Sequence, residues 1–303
     1  MKLLRVTFVV LLAACATSAP TRKRIEPRSD FLVNLHQRLL GDAAERTPRT
    51  FEDLAPDDRA VWLEAVDAYR KGGVDELIDV RIAAADQPDA IDAKWRAIFD
   101  RTAPVYRKTW WAADDAKNRA FIAMLQPLVD AHGAAILEEQ ARVYGMPAPA
   151  RASVDIAAYA GPFGAQTLIH DSGIPYVTIS PLYETYRGNA ALEELMHELS
   201  HSLAFHNRGV VGGTIEAHAK ALGIRHPRDL WHAILFFNTG EVTRRYFAAR
   251  GVEYEPYAFR TGVYDRMSGD YLPAVRKWWP QVIDGKLSAE EGVRRIVEEI
   301  AKR

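Results

Sequence analysis

Residues 197 to 201 read His-Glu-Leu-Ser-His. The two histidines are four residues apart, so on a helix they project from one face on successive turns and can bind one metal ion. Glu198 is turned about 100° from His197. It can reach a water on that ion without being a ligand. Zinc held by neutral side chains lowers the pKa of its water toward about 7, and a nearby glutamate can take the proton. The expected chemistry is hydrolysis, with one Zn2+ per chain, His197 and His201 as ligands and Glu198 as general base.

The flanking residues predict how the motif is carried. Leu192, Met196, Leu199 and Leu203 fall within about 40° of one another on a helical wheel and form the apolar stripe. His197 and His201 fall about 140° to 180° around from that stripe, on a different face. Upstream, Val154 to Tyr159, Thr167 to His170 and Tyr176 to Ile179 read as short strands, with Gly173 and Pro175 supplying turn chemistry. Tyr176 to Ile179 is a strand on which a peptide could add itself as a further strand.

HELSH on a helix preceded by a small sheet resembles the zincin metallopeptidases. Three further segments, Pro227-Arg228-Asp229-Leu230-Trp231-His232-Ala233, Thr239-Gly240-Glu241 and Tyr254-Glu255-Pro256-Tyr257-Ala258, resemble uncharacterised bacterial HExxH envelope proteins. The resemblance implies a zinc peptidase with a third protein ligand, and four positions compete for that role. His206 is one residue early for the HExxHxxGxxH pattern, in which Ala204 and Asn207 replace the required glycine and histidine. Glu216 follows His201 by 15 residues, a short spacing for a glutamate-zincin, and as a first-turn helix glutamate it also has a plain structural reading. Glu241 shares a helix face with Leu230, Ile234 and Phe237, and an inward carboxylate needs a cation. Gly240 beside it allows close approach to the motif helix. Arg244 and Arg245, at i+3 and i+4, offer the alternative cation. His232 lies roughly 180° from Glu241, so an unbroken helix can present only one of them; a break at Asn238-Thr239-Gly240 would free both. Glu241 is the expected ligand. Tyr257 and Tyr264 carry hydroxyls suited to an oxyanion, with aromatic core filling as the competing reading.

The remaining sequence predicts a helix-dominated α+β protein. The chain has 303 residues, 48% hydrophobic and 26% charged, with a net charge of −1, which argues against disorder and against a nucleic-acid binder. A single cysteine, Cys15, excludes an internal disulfide framework and a thiolate zinc cluster. Met1 to Ala14 has the form of a signal peptide, with Lys2 and Arg5 before the apolar run Val6 to Leu12, too short to span a bilayer. Leu12-Ala13-Ala14-Cys15 resembles the bacterial lipobox, which implies a lipid anchor on Cys15 facing the periplasm. Cleavage after Ala19, giving a soluble periplasmic or secreted protein, is the alternative.

The expected division is a leader over 1–14, a tether over 15–29, a helical region over 30–150 and a zincin-like region over 151–303. Phe31, Leu32, Leu35, Leu39 and Leu40 recur at helical spacing. Pro56-Asp57-Asp58 opens a helix that Gly72-Gly73 stops. Asp114 to Tyr144 reads as a long helix interrupted near Pro127, or as two. Partners expected of such a protein are a peptide or protein substrate and, through Cys15, a membrane, with no nucleic acid. A non-catalytic lipoprotein with a structural metal, and a zinc hydrolase of a non-peptide amide, remain open beside the peptidase.

Overall fold

The computed structural model describes residues 25–47, 49–169, 173–204, 209–267 and 269–302. Cys15, the leader and His206 lie outside the described residues. The architecture is α+β, dominated by helix, with one four-stranded mixed sheet.

The first three helices are built as their sequences dictate. α1 (Phe31–Ala44) is capped by Asp30, whose side chain accepts from the Val33 amide. α2 (Pro56–Lys71) has proline in its first turn, Asp57 and Asp58 behind it, and ends at Gly72. α3 (Val74–Asp86) follows at once. A single run of helix then extends from Ala93 to Tyr144. It comprises α4 (Ala93–Tyr106), α5 (Ala112–Leu128) and α6 (Ala134–Tyr144), joined by π turns at Arg107–Trp111 and Val129–Gly133. Pro104 and Pro127 each precede one of these turns. A proline removes a backbone hydrogen bond and crowds the preceding turn, and local rewinding absorbs the fault without ending the helix. Gly145, with φ of 67°, closes the run in the left-handed conformation. By composition one stretch of this helix is apolar enough to cross a membrane, yet its Phe121, Leu125, Val129, Ile136 and Leu137 are buried in the core.

The sheet is ordered β1 (Pro27–Arg28), β2 (Ser153–Ile156), β4 (Pro175–Ile179), β3 (Ala165–Ile169). β1, β2 and β4 are parallel, and β3 runs antiparallel to β4, with Thr167 opposite Val177. The expected docking strand at Tyr176 to Ile179 is therefore interior, paired with β2 on one side and β3 on the other; among the described residues the edge strands are β1 and β3. The segment read as a tether docks from Ile25 onward. Ile25 is buried, and Arg28 donates to Asp155 at 2.7 Å. A buried Asp155 from another part of the chain supplies the pairing that local composition does not reveal.

Two apolar clusters result. One gathers Leu35, Trp62, Tyr69, Trp95 and Tyr106 from α1 to α4. The other gathers the later half of the long helix, the sheet and the C-terminal helices: α7 (Asn189–Ala204), α8 (Val210–Ala221), α9 (Leu230–Ala248), α12 (Leu272–Ile283) and α13 (Ala289–Ala301). The short α10 (Tyr257–Arg260) and α11 (Val263–Arg266) connect α9 to α12. α8 and α9 run unbroken through Gly212-Gly213 and Gly240, which the sequence suggests as interruptions.

Candidate metal centre

α7 carries the HELSH motif and is buried on nearly every side. Leu192, Met196, Leu199 and Leu203 are at most 1% exposed, so the expected stripe is the core face. The opposite face presents Glu194, His197, Glu198 and His201 to a cleft of about 450 Å³. The i, i+3, i+4 and i+7 spacing of these four residues aligns them along one side of the helix.

The third imidazole comes from His232 in the first turn of α9. The nitrogens that His197, His201 and His232 offer all lie within 4.8 Å of one another. His197 and His232 face each other with Nε2 atoms 3.2 Å apart. Two nitrogens about 2.0–2.1 Å from one tetrahedral ion would sit about 3.3 Å apart, so the donor set fits a small dication. Aromatic walls hold the rings. Phe236 stacks on His197 at 4.0 Å between centroids, and Trp231 stacks on His232 at 4.7 Å. The Trp231 ring also meets His201 edge-on. His197 Nδ1 is buried without a hydrogen-bond partner, so stacking rather than a hydrogen bond orients that ring.

Glu241, the expected ligand, is elsewhere. α9 is continuous, so turning His232 into the cleft turns Glu241 away from it. The Glu241 carboxylate accepts from Arg244 at 2.7 and 2.8 Å and from Arg245 at 2.7 Å. These arginines hold its pKa below the ordinary value against the opposing effect of burial. The inference from inward burial to metal ligand fails because two arginines on the same helix supply the cation. Gly240 does allow a close approach, but to a different end: a Cβ there would lie 2.7 Å from Pro256 and 3.2 Å from Glu193 Oε1. Glu216 is exposed on α8 and does not join the cluster.

Burial sets the electrostatics. Desolvation drives the His197 pKa far down, His201 to about 3 and His232 to about 4. All three imidazoles are therefore neutral at pH 7, the form that binds a metal. Glu198 is 4% exposed, and burial raises its pKa to about 7. Its Oε2 is 2.5 Å from Thr167 Oγ1 on β3 and 3.8 Å from His201 Nε2. A carboxyl poised near neutrality can take a proton and return it. A dication in the histidine ring would draw Glu198 down again toward its charged form.

Two carboxylates flank this one. Glu194, one turn earlier, is buried and accepts a hydrogen bond from Tyr186 Oη at 3.1 Å. Burial, with the nearby Glu198, raises its pKa well above the usual range. Glu193 accepts from Tyr254 Oη at 2.5 Å and from the Tyr257 amide at 3.0 and 3.1 Å. That clamp holds residues 254–257 against α7 and sets Tyr257 in the cleft wall, its hydroxyl 3.3 Å from Thr185 Oγ1. Tyr264 instead lies in the core with an unpaired hydroxyl.

Sequence reasoning singles out neither Glu194 nor Thr167 as a site residue. Glu194 carries a readable signal, its spacing of three and four from His197 and Glu198. Thr167 carries none, because strand pairing brings it to the motif from 31 residues away. Comparison of the chain with protein-family models, curated proteins and solved structures yields no match.

Proposed function

We propose that this protein is a zinc-dependent peptidase. The observation that carries the reading is the ring of three neutral imidazoles with a buried carboxyl, Glu198, beside it at the floor of an open cleft. Three protein nitrogens suit zinc and leave one position of a tetrahedron for water or substrate, the pattern of catalytic rather than structural sites. Bound zinc supplies a Lewis acid for the substrate carbonyl and acidifies water.

The chain's own residues do the rest. Glu198 accepts the proton of the attacking water and delivers it to the leaving amine. Thr167 holds Oε2 of Glu198, the oxygen 3.8 Å from His201 Nε2. Tyr257 stands in the wall with a hydroxyl suited to a developing oxyanion. The feature favouring a peptide over another amide is β3: among the described residues no strand pairs with its outer edge, all five of its residues are half-buried, and it carries Thr167. An extended peptide adding to that edge passes Glu198. From the lipobox-like leader we place the enzyme on the periplasmic side of a bacterial envelope membrane, anchored through Cys15.

The test is Glu198→Gln, assayed for zinc content and for cleavage of quenched fluorescent peptides. The variant should hold zinc within about twofold of wild type and lose on the order of 10³-fold in kcat. Unchanged turnover removes Glu198 from the mechanism, and lost zinc makes its carboxylate a ligand.

A further inference from the structure

We infer that the turn at residues 161–164 is a subsite for a large apolar side chain of the substrate, and that Phe163 selects it. The inference rests on the peptidase reading and adds a substrate preference to it.

Among the described residues, eight large hydrophobic side chains are exposed. Two of them, Phe163 and Tyr183, line the metal cleft. Phe163 is 69% exposed. Burial of such a ring is favourable, so an open ring on a mobile loop would have reason to collapse inward. This turn does not permit it. Gly161 and Gly164 have φ of 70° and 82°, a conformation that favours glycine. The backbone at Gly164 lies flat on the Tyr183 ring, where a Cβ would come within 2.3 Å of a ring carbon. Tyr183 Oη donates to the Pro162 carbonyl and Tyr186 Oη to the Phe163 carbonyl, each at 2.8 Å. The Ser180 amide donates to the Gly164 carbonyl at 2.8 Å. The main chain is held from several sides while the Phe163 ring is left in solvent.

The position identifies the occupant. β3 begins two residues after Phe163, and Thr167, four residues on, touches Glu198. A peptide extended along the free edge of β3 advances about 3.3 Å per residue. Its side chain at Phe163 then lies about three to four residues from the bond at Glu198. An exposed apolar patch continuous with a polar reaction centre is a surface that recognises an apolar group. The matching side chain is leucine, phenylalanine or tyrosine.

The zinc-loaded full chain is tested on paired quenched peptides that differ only in leucine or alanine at successive positions around the cleaved bond. Wild type should prefer leucine at one position by about tenfold in kcat/KM. Phe163→Ser should remove that preference through KM and preserve the melting temperature. Phe163→Leu should restore the preference, and Val74→Ser, an exposed apolar change on α3, should leave it intact. Peptide cleavage with no preference, or with one that Phe163→Ser does not alter, overturns the subsite and leaves the peptidase standing. Cleavage of none of the peptides overturns both.

Discussion

Two buried polar assemblies lie on opposite sides of the sheet's chemistry, and they differ in whether their charges are answered. Where α1 and α3 meet the sheet, Asp155 is fully buried and accepts from Arg28 at 2.7 Å and Arg81 at 2.9 Å. Arg81 also donates to Thr178 Oγ1 at 3.0 Å. A cavity of about 600 Å³ opens nearby, larger than the metal cleft, but Asp86 in its wall is already taken by Arg151 and by Tyr176 at 2.6 Å. In the metal cleft, whose lining also includes Arg266, three imidazoles and two carboxyls, Glu194 and Glu198, come together, and among the described residues none of them is ion-paired to a lysine or arginine. Size therefore misleads and charge balance informs. Acids matched with bases brace the fold; donors and acids left facing a void mark a place for a ligand.

Two substitutions on α9, one inside the metal cleft and one outside it, give the largest test of that contrast. His232→Ala should weaken zinc affinity by at least about 100-fold, as expected when a ligand is deleted. Glu241→Ala, on the same helix, should bind zinc within about twofold of wild type, since its partners are arginines. Competition against a fluorescent zinc chelator reads both; strong zinc loss in Glu241→Ala would reverse the assignment.

On the braced side, Asp155→Ala should cost about 3–5 kcal/mol in chemical denaturation, because it strands Arg81 as a buried, unpaired charge. Zinc affinity in whatever fraction folds should be unchanged. A loss under about 1 kcal/mol would mean that water reaches Arg81 and that this side is less dry than its burial indicates.

His36 gives a smaller and pH-dependent effect. It is 1% exposed, with Nδ1 3.0 Å from Tyr69 Oη. Burial first, and the Arg81 charge second, lower its pKa from 6.5 to about 3. The folded protein keeps this histidine neutral while the unfolded chain protonates it near its ordinary value. Its stabilising contribution is thus present above about pH 6.5 and shrinks as pH falls toward 3. By pH 4.5 the loss should be about 2–3 kcal/mol, from 1.36 kcal/mol per pKa unit. His36→Gln should flatten this part of the pH profile relative to wild type, and identical profiles would show that His36 titrates with solvent.

What the sequence reveals follows from the range of each interaction. HELSH is legible because two imidazoles and a carboxyl lie within two turns of one helix. The choice between His232 and Glu241 is not, because α9 is apolar nearly all round and its wheel has no single inward direction. Arg244 and Arg245 are visible as candidate partners of Glu241, but only the fold shows that both engage it. Three of the four strands are legible as strands, β2 with its end read three residues too far, while β1 lies in the segment read as a tether. Their order is not legible, since β4 inserts between β2 and β3, which makes Tyr176 to Ile179 interior, while the two-residue β1 comes from the far N-terminal side to pair with β2. Pro127 marks a real disturbance, but packing along both flanks keeps the helix going where local rules alone would end it.

The helical run from Ala93 to Tyr144 has a mechanical consequence. Its first third is seated among Trp62, Tyr69 and Leu35, and its last third among the residues that support α7. A rod built into both cores transmits load between them and leaves no seam at which two lobes could swing. Any molecule that enters the cleft would find it open from the start, with side chains and the rim doing the adjusting. The same rod couples the halves in unfolding: severing it near Trp111 would expose apolar surface on both sides at once, so the histidine-bearing half and the N-terminal helices should melt as one unit.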